Sequence, residues 1–150
     1  MGNTYTNLQY HLVFSTKHRK EMILDGFQEN LYSYIGGIIR SEKGKLINIG
    51  GTKNHVHILT IFSQSVTVSN MLQQIKGSSS KWLNEQSLVP YRFRWQTGYA
   101  AFTVSQSMVD IVSNYIDNQA AHHKKMTFKE EIIMLFEKHN IEYDEKYLWV

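Results

Sequence analysis

The sequence predicts an α+β fold, a ferredoxin-like (RRM-like) antiparallel sheet with helices packed on it and a C-terminal helical extension. Three observations predict it. Near the start, Leu8, Tyr10, Leu12 and Phe14 alternate against Asn7, Gln9, His11 and Ser15, the period-two pattern of a strand with one apolar face. The most apolar β-branched run, Asn-His-Val-His-Ile-Leu-Thr-Ile-Phe from Asn54 to Phe62, reads as a second long strand. The periodicities in order then give strand, helix, strand, strand, helix, strand, helix, helix, the ferredoxin-like order followed by an addition. At 150 residues the chain is read as one domain, residues 1–150, large enough to bury a core without staples.

Each element has its own justification. The first strand spans about 6–16. Asp25 with Gln28 three residues later resembles a capping box, and Phe27, Leu31, Ile35 and Ile38 recur at helical spacing, so a first helix is expected over 25–42. Lys45 to Ile49 is a short strand that Gly50-Gly51 should break, with Thr52-Lys53-Asn54 turning into the histidine strand as a hairpin. Val68, Leu72, Ile75 and Leu83 mark a second helix, weakened near Gly77. Pro90, the only proline, closes that region, and residues 93–104 return to a strand composition. Ser107 with Asp110 opens a third helix whose apolar face is Met108, Ile111, Val112, Tyr115 and Ile116, running to about His123. Thr127 and Glu130 form the clearest capping box, starting a fourth helix with Phe128, Ile132, Leu135 and Phe136 inward. The aromatic end, with Tyr143, Tyr147 and Trp149, is expected to pack on the domain.

Composition removes whole classes of function. Without cysteine there is no disulfide scaffold, thiolate zinc site or cysteine nucleophile. No signal pattern or membrane-length apolar run is present, so no membrane partner and a cytoplasmic location are expected. A net charge of +3 and a pI near 9.0 allow a polyanionic partner. Lys17, His18, Arg19 and Lys20 are consecutive, and Arg92 and Arg94 interleave with Tyr91, Phe93 and Trp95. Cations meet phosphates and rings stack on unpaired bases, so these residues, with Lys53 and Lys76, are the candidate contacts to single-stranded nucleic acid. A solvated loop accounts for the basic run equally well.

The candidate chemistry starts from His55 and His57. Alternation places both on one face of a strand, where two imidazole nitrogens can share a metal ion if a third group closes the site. By spacing alone the pair reads more readily as satisfied, partly buried strand histidines. Tyr115 and Gln119, four apart, lie one above the other on the third helix, with His122 near that line. A phenol can act as an oxygen nucleophile and an amide oxygen can reach a metal, although a tyrosine on an apolar stripe is ordinary core.

His55-Val56-His57, Tyr115-Ile116-Asp117-Asn118-Gln119 and Trp95-Gln96-Thr97-Gly98-Tyr99-Ala100-Ala101-Phe102 together resemble the single-tyrosine HUH transposases of bacterial insertion sequences. Tyr10 to Arg19 and Gln74 to Ser80 are similar to the same family, so the resemblance covers nearly the whole chain. It implies a metal, Mg2+ or Mn2+, on His55, His57 and Gln119, with Tyr115 as the catalytic nucleophile. It implies a metal-dependent endonuclease and strand transferase that cleaves and rejoins single-stranded DNA at insertion-sequence ends through a 5′-phosphotyrosine. It also implies substrates with hairpin ends and a homodimer that exchanges the tyrosine helix between subunits. The absence of a GxxxxGK[ST] loop agrees with joining that needs no ATP. The alternatives are a single-stranded nucleic-acid binding module without catalysis, and a hydrolase in which the histidines activate water.

Overall fold

The computed structural model describes residues 2–86 and 89–148. Four strands form one antiparallel sheet in the order β2-β3-β1-β4, with β1 at Leu8–Ser15, β2 at Lys45–Gly51, β3 at His55–Phe62 and β4 at Ala100–Thr103. β1 and β3 pair along their whole length, with Val13 opposite His57 and Phe14 opposite Val56. The β2–β3 hairpin expected from the sequence is present.

Period-two alternation divides the sheet into two faces with different jobs. Leu12, Phe14, Val56, Ile58 and Phe62 form the main core with Leu31, Ile35 and Ile39 of α1 (Gln28–Ser41) and Met71, Leu72, Ile75 and Leu83 of α2 (Val68–Glu85). The other face carries His11, His55 and His57. It is covered by α3 (Val109–Asp117), α4 (Gln119–His122) and α5 (Phe128–Lys138). There Val13, Ala100 and Phe102 pack on Phe128, Ile132, Leu135 and Phe136, the four residues predicted to point inward. Both faces of β1 are therefore buried, so its polar residues line a covered site.

Several local expectations change. Asp25 does not cap α1; the N-cap is Phe27, without a side-chain bond, because residues 24–28 close through backbone bonds to the Leu24 carbonyl. Gly50 and Gly51 do not break β2 but pair within it, opposite His57 and Val56. α2 runs unbroken through Gly77, where Ser79 and Ser80 return their hydroxyls to the Lys76 carbonyl. β4 is shorter than the predicted strand, and Trp95 makes only an isolated bridge to Thr16.

The predicted third helix starts in a 3-10 turn, Gln106–Met108, rather than in a Ser107 capping box, and splits at Asn118 (φ −100°, ψ 19°) into α3 and α4. Its supposed apolar face is partly bare: Met108 is 43% and Ile111 59% exposed, while Ile116 is buried. Thr127 caps α5 as expected, accepting from the Glu130 amide at 3.2 Å. At the C-terminal end α6 (Glu145–Leu148) sets Leu148 against the α5 cluster, and Tyr143 meets Phe136 at 5.4 Å between rings. Tyr147 is 66% exposed and does not pack as predicted; Trp149 lies outside the described residues. Among the described residues no helix is long and apolar enough to cross a membrane.

Candidate active site

Alternation in β3 sends Val56 and Ile58 into the main core and turns His55 and His57 toward α3–α5, where both are fully buried. Tyr115 comes from the last turn of α3. The break at Asn118 then redirects the chain, so that Gln119 starts α4 pointing inward, buried against the histidines. Two histidines of one strand and one residue from each of two later helices meet at one point.

A fifth residue stands at the centre. Glu131 of α5 is fully buried, with Oε1 3.1 Å from His57 Nε2, 3.3 Å from His55 Nε2 and 3.0 Å from His123 Nε2. Its other oxygen accepts the Tyr115 hydroxyl and, at 2.9 Å, the Gln119 amide. Gln119 Oε1 in turn faces His55 Nε2 at 3.0 Å and His123 Nε2 at 3.2 Å. Behind the pair, His11 Nε2 meets His57 Nδ1 at 2.8 Å.

The electrostatics follow from burial and from these partners. Burial by itself would raise the Glu131 carboxyl, but bonds from His123, His55 and His57 outweigh it and hold the group well below the usual carboxylate range. Tyr115 is pushed above the ordinary phenol value, by burial first and then by the Glu131 carboxylate to which it donates. Burial, joined by the neighbouring His57, lowers His11 to about 3, and burial also lowers His57. Both rings are neutral at physiological pH.

The donor set fits a divalent cation. His55 Nδ1 lies 2.8 Å from Asn54 Oδ1 and 3.0 Å from Thr52 Oγ1, and a carbonyl oxygen can only accept. Nδ1 therefore carries a hydrogen, and Nε2 faces two further acceptors, Gln119 Oε1 and Glu131 Oε1. These three atoms converge only around positive charge, a proton on Nε2 or a metal cation in its place. His55, His57 and Glu131 offer ligand atoms all within 4.8 Å of one another. Two imidazoles with carboxylate and amide oxygens suit manganese well and magnesium less readily.

Sequence reasoning brought forward His55, His57, Tyr115 and Gln119, and the structure assembles all four. It missed Glu131, His11 and His123. The signal for Glu131 was present: it falls three residues after Phe128 and four before Leu135, a carboxylate on an inward apolar stripe. His122 stays outside the cluster, its ring 4.7 Å from that of Tyr115, and His123 enters instead.

The basic candidates separate into groups. Lys17, Lys76, Arg92 and Arg94 line one groove of about 830 Å³ with Lys81, Trp95 and Tyr99. The Lys76 ammonium is half buried beneath it, donating to the Gln96 carbonyl at 2.7 Å and to that of Gly98. His18, Arg19 and Lys20 do not line that groove. Lys53 lies in another cleft, with His123, Lys124 and Lys125.

A sheet-borne histidine pair facing a helix-borne tyrosine and glutamine defines the class of single-tyrosine HUH transposases. The model of the IS200-like transposase family matches residues 4–119, and the chain belongs to that family. The transposase for insertion sequence element IS200 of Salmonella typhimurium is 25% identical over 129 residues, covering 83% of this chain and 84% of that protein. Two solved structures share the fold, each with a TM-score of 0.62. One, described as a candidate transposase of Deinococcus radiodurans, is 22% identical and covers 79% of this chain and 96% of its own. The other, a REP-associated tyrosine transposase bound to a REP hairpin, is 13% identical and covers 82% of this chain and 73% of its own.

Proposed function

We propose that this chain cleaves and rejoins single-stranded DNA at insertion-sequence ends, with Tyr115 as nucleophile. The observation that carries the reading is that the Tyr115 hydroxyl and the His55–His57 pair meet on one buried carboxylate. Tyr115 Oη attacks phosphorus and the P–O3′ bond breaks. The 5′ phosphate stays on the tyrosine, and O3′ leaves as a hydroxyl, its proton balancing the one that the phenol gives up. A 3′ hydroxyl from another strand reverses the step, and because one phosphodiester replaces another no ATP is consumed.

A divalent ion, Mg2+ or Mn2+, held by His55, His57 and Gln119 would supply positive charge to a non-bridging phosphate oxygen. The chain's own residues do the rest. His11 and Asn54 orient the two imidazoles from behind. A cleft of about 390 Å³, lined by His11, Val112, Tyr115 and Met134 among others, opens on the phenol and gives a strand access to it.

Lys17, His18, Arg19, Lys20, Lys53, Lys76, Arg92 and Arg94 make the phosphate contacts in this reading, the four in the large groove acting together. Hairpin-ended DNA as substrate is supported by the solved relative that holds a REP hairpin. The homodimer with exchanged tyrosine helices belongs to the same proposal. Within one chain Tyr115 meets its own histidines, and exchange would remake the same contacts between two chains.

The test is a denaturing gel with labelled single-stranded DNA from the element ends and Mn2+. The expected result is a protein-linked band that Tyr115→Phe abolishes. Free cleaved product that survives Tyr115→Phe would indicate a hydrolase, and DNA binding with neither product would indicate a binding module; either outcome sinks the proposal.

A further inference from the structure

We infer that Glu131 is shared between the metal and the nucleophile: Oε1 is a ligand beside His55 and His57, while Oε2 positions the Tyr115 hydroxyl. The inference rests on the metal-dependent reading above and goes beyond it, since Glu131 lies outside the 4–119 segment that matches the family.

The two oxygens already divide the work. Oε1 faces only imidazole nitrogens, at 3.0 to 3.3 Å, and Oε2 faces only donors, the Tyr115 hydroxyl and the Gln119 amide. Two ligands at right angles about an ion, with bonds of about 2.1 Å, stand roughly 3.0 Å apart. The separations of Oε1 from His57 Nε2 (3.1 Å) and His55 Nε2 (3.3 Å) are close to that edge. The side chains need little rearrangement to close on an ion.

Charge argues the same way. His55, His57 and Gln119 are a neutral set when the rings coordinate, whereas a hard divalent ion is held best by anionic oxygen. Glu131 is the one acid in the cluster. It is fully buried on the inward stripe of α5, a position that a carboxylate occupies only when paired or coordinated. Because Gln119 Nε2 donates to Oε2, its Oε1 is also turned toward the histidines by Glu131. One carboxylate thus sets a ligand, orients another and fixes the phenol, so the ion and the nucleophile are placed relative to each other through α5.

The experiment uses the full chain and reads metal binding without DNA. Mn2+ is titrated by calorimetry and by the loss of the free Mn2+ electron paramagnetic resonance signal, for wild type, Glu131→Gln, Glu131→Asp and Gln119→Ala. Circular dichroism checks the fold. Glu131→Gln should weaken Mn2+ binding by at least the roughly 10- to 100-fold that even outer partners of ligands cost. Glu131→Asp keeps the charge but is one methylene shorter, so its carboxylate cannot reach the ion and Tyr115 together. It should hold Mn2+ within a few-fold of wild type, yet form the covalent adduct more slowly at saturating DNA with KM unchanged.

Wild-type Mn2+ affinity in folded Glu131→Gln, with loss in Gln119→Ala, overturns the inference. If Glu131→Gln does not fold, the aspartate variant decides: adduct formation at the wild-type rate overturns it, and the rate loss with metal retained supports it. Absence of adduct from the wild type itself would count against the transposition chemistry, while the DNA-free metal titration would still report on Glu131.

Discussion

His55 Nδ1 donates to Asn54 Oδ1 at 2.8 Å, and that bond decides which nitrogen of the ring faces the site. The Asn54 amide is itself turned by its own donation to the Arg19 carbonyl at 3.4 Å, so the accepting oxygen is the one presented to the imidazole. Replacing Asn54 with alanine frees the ring to take the other tautomer or to rotate. The expected outcome is Mn2+ affinity weaker by about 10- to 100-fold, with the fold intact by circular dichroism. Calorimetry on the DNA-free protein checks it. Unchanged affinity would mean that Thr52 alone, at 3.0 Å, holds the ring.

Gly50 lets α3 come down onto β2. A Cβ at Gly50 would stand 2.9 Å from both Ile116 Cγ2 and the Ile116 backbone oxygen, and backbone cannot rotate away. Gly50→Ala should therefore cost about 1–3 kcal/mol, as overpacking does, and push the helix that carries Tyr115 off the histidines. Covalent adduct formation should fall further than stability at temperatures where the variant is folded. Gly77 in α2 is the control, because a Cβ there meets nothing within 4 Å. Gly77→Ala should stabilise the protein by about 0.5–1 kcal/mol in urea denaturation.

These two glycines show where sequence reading succeeds and where it stops. The apolar alternation of β1 and β3 and the stripes of α1, α2 and α5 are local patterns, and the elements they predict are present. The histidine pair, Tyr115 and Gln119 were legible because family-like motifs surround them. Gly50, read as a strand breaker, is a site of close approach by a helix more than 60 residues later. Gly77, read as a weak point, is an ordinary helix position because tertiary packing of Leu72, Ile75 and Leu83 outweighs propensity. Glu131 was hidden for a related reason. Its meaning depends on which face of the sheet α5 covers, and periodicity carries no information about that.

Lys76 should give the fold an unusual pH dependence. Burial lowers its ammonium from the usual 10.5 to about 8, while it bonds the Gln96 and Gly98 carbonyls. In the unfolded chain the group returns to its ordinary value. Between about pH 8 and pH 10 the unfolded state therefore binds more protons than the folded state, so stability rises with pH across that window. A neutral amine still has hydrogens for both carbonyls, so the loop 96–98 stays held. Urea denaturation at pH 7.5 and 9.5 should show the wild type gaining relative to Lys76→Met. DNA affinity should move the other way as a phosphate-facing charge is lost, with the salt slope shallower by up to about one. Parallel pH curves for the two proteins would show that Lys76 keeps its proton through this range.

Whether tyrosine helices are exchanged between subunits can be read from two inactive variants. α3 is tied to β2 by Asn48 Nδ2, which donates to the Ser113 carbonyl at 3.1 Å and to Asp117 at 2.9 Å. The connection from β4 runs only from Val104 through the 3-10 turn Gln106–Met108, and an exchange would have to redirect the chain within those few residues. On the proposed mechanism His57→Ala removes a ligand and Tyr115→Phe removes the nucleophile, and each alone should form no adduct. If helices are exchanged, a mixed dimer contains one site with wild-type histidines and a wild-type tyrosine. Random re-pairing of equal amounts puts half the dimers in that mixed form, with one of two sites alive, and should restore about a quarter of wild-type adduct. The adduct should form only on the His57→Ala chain, the one that keeps its tyrosine, and a size tag on either chain makes that visible on the gel. No recovery after denaturing and refolding the mixture would place each tyrosine with its own histidines, as in the single chain.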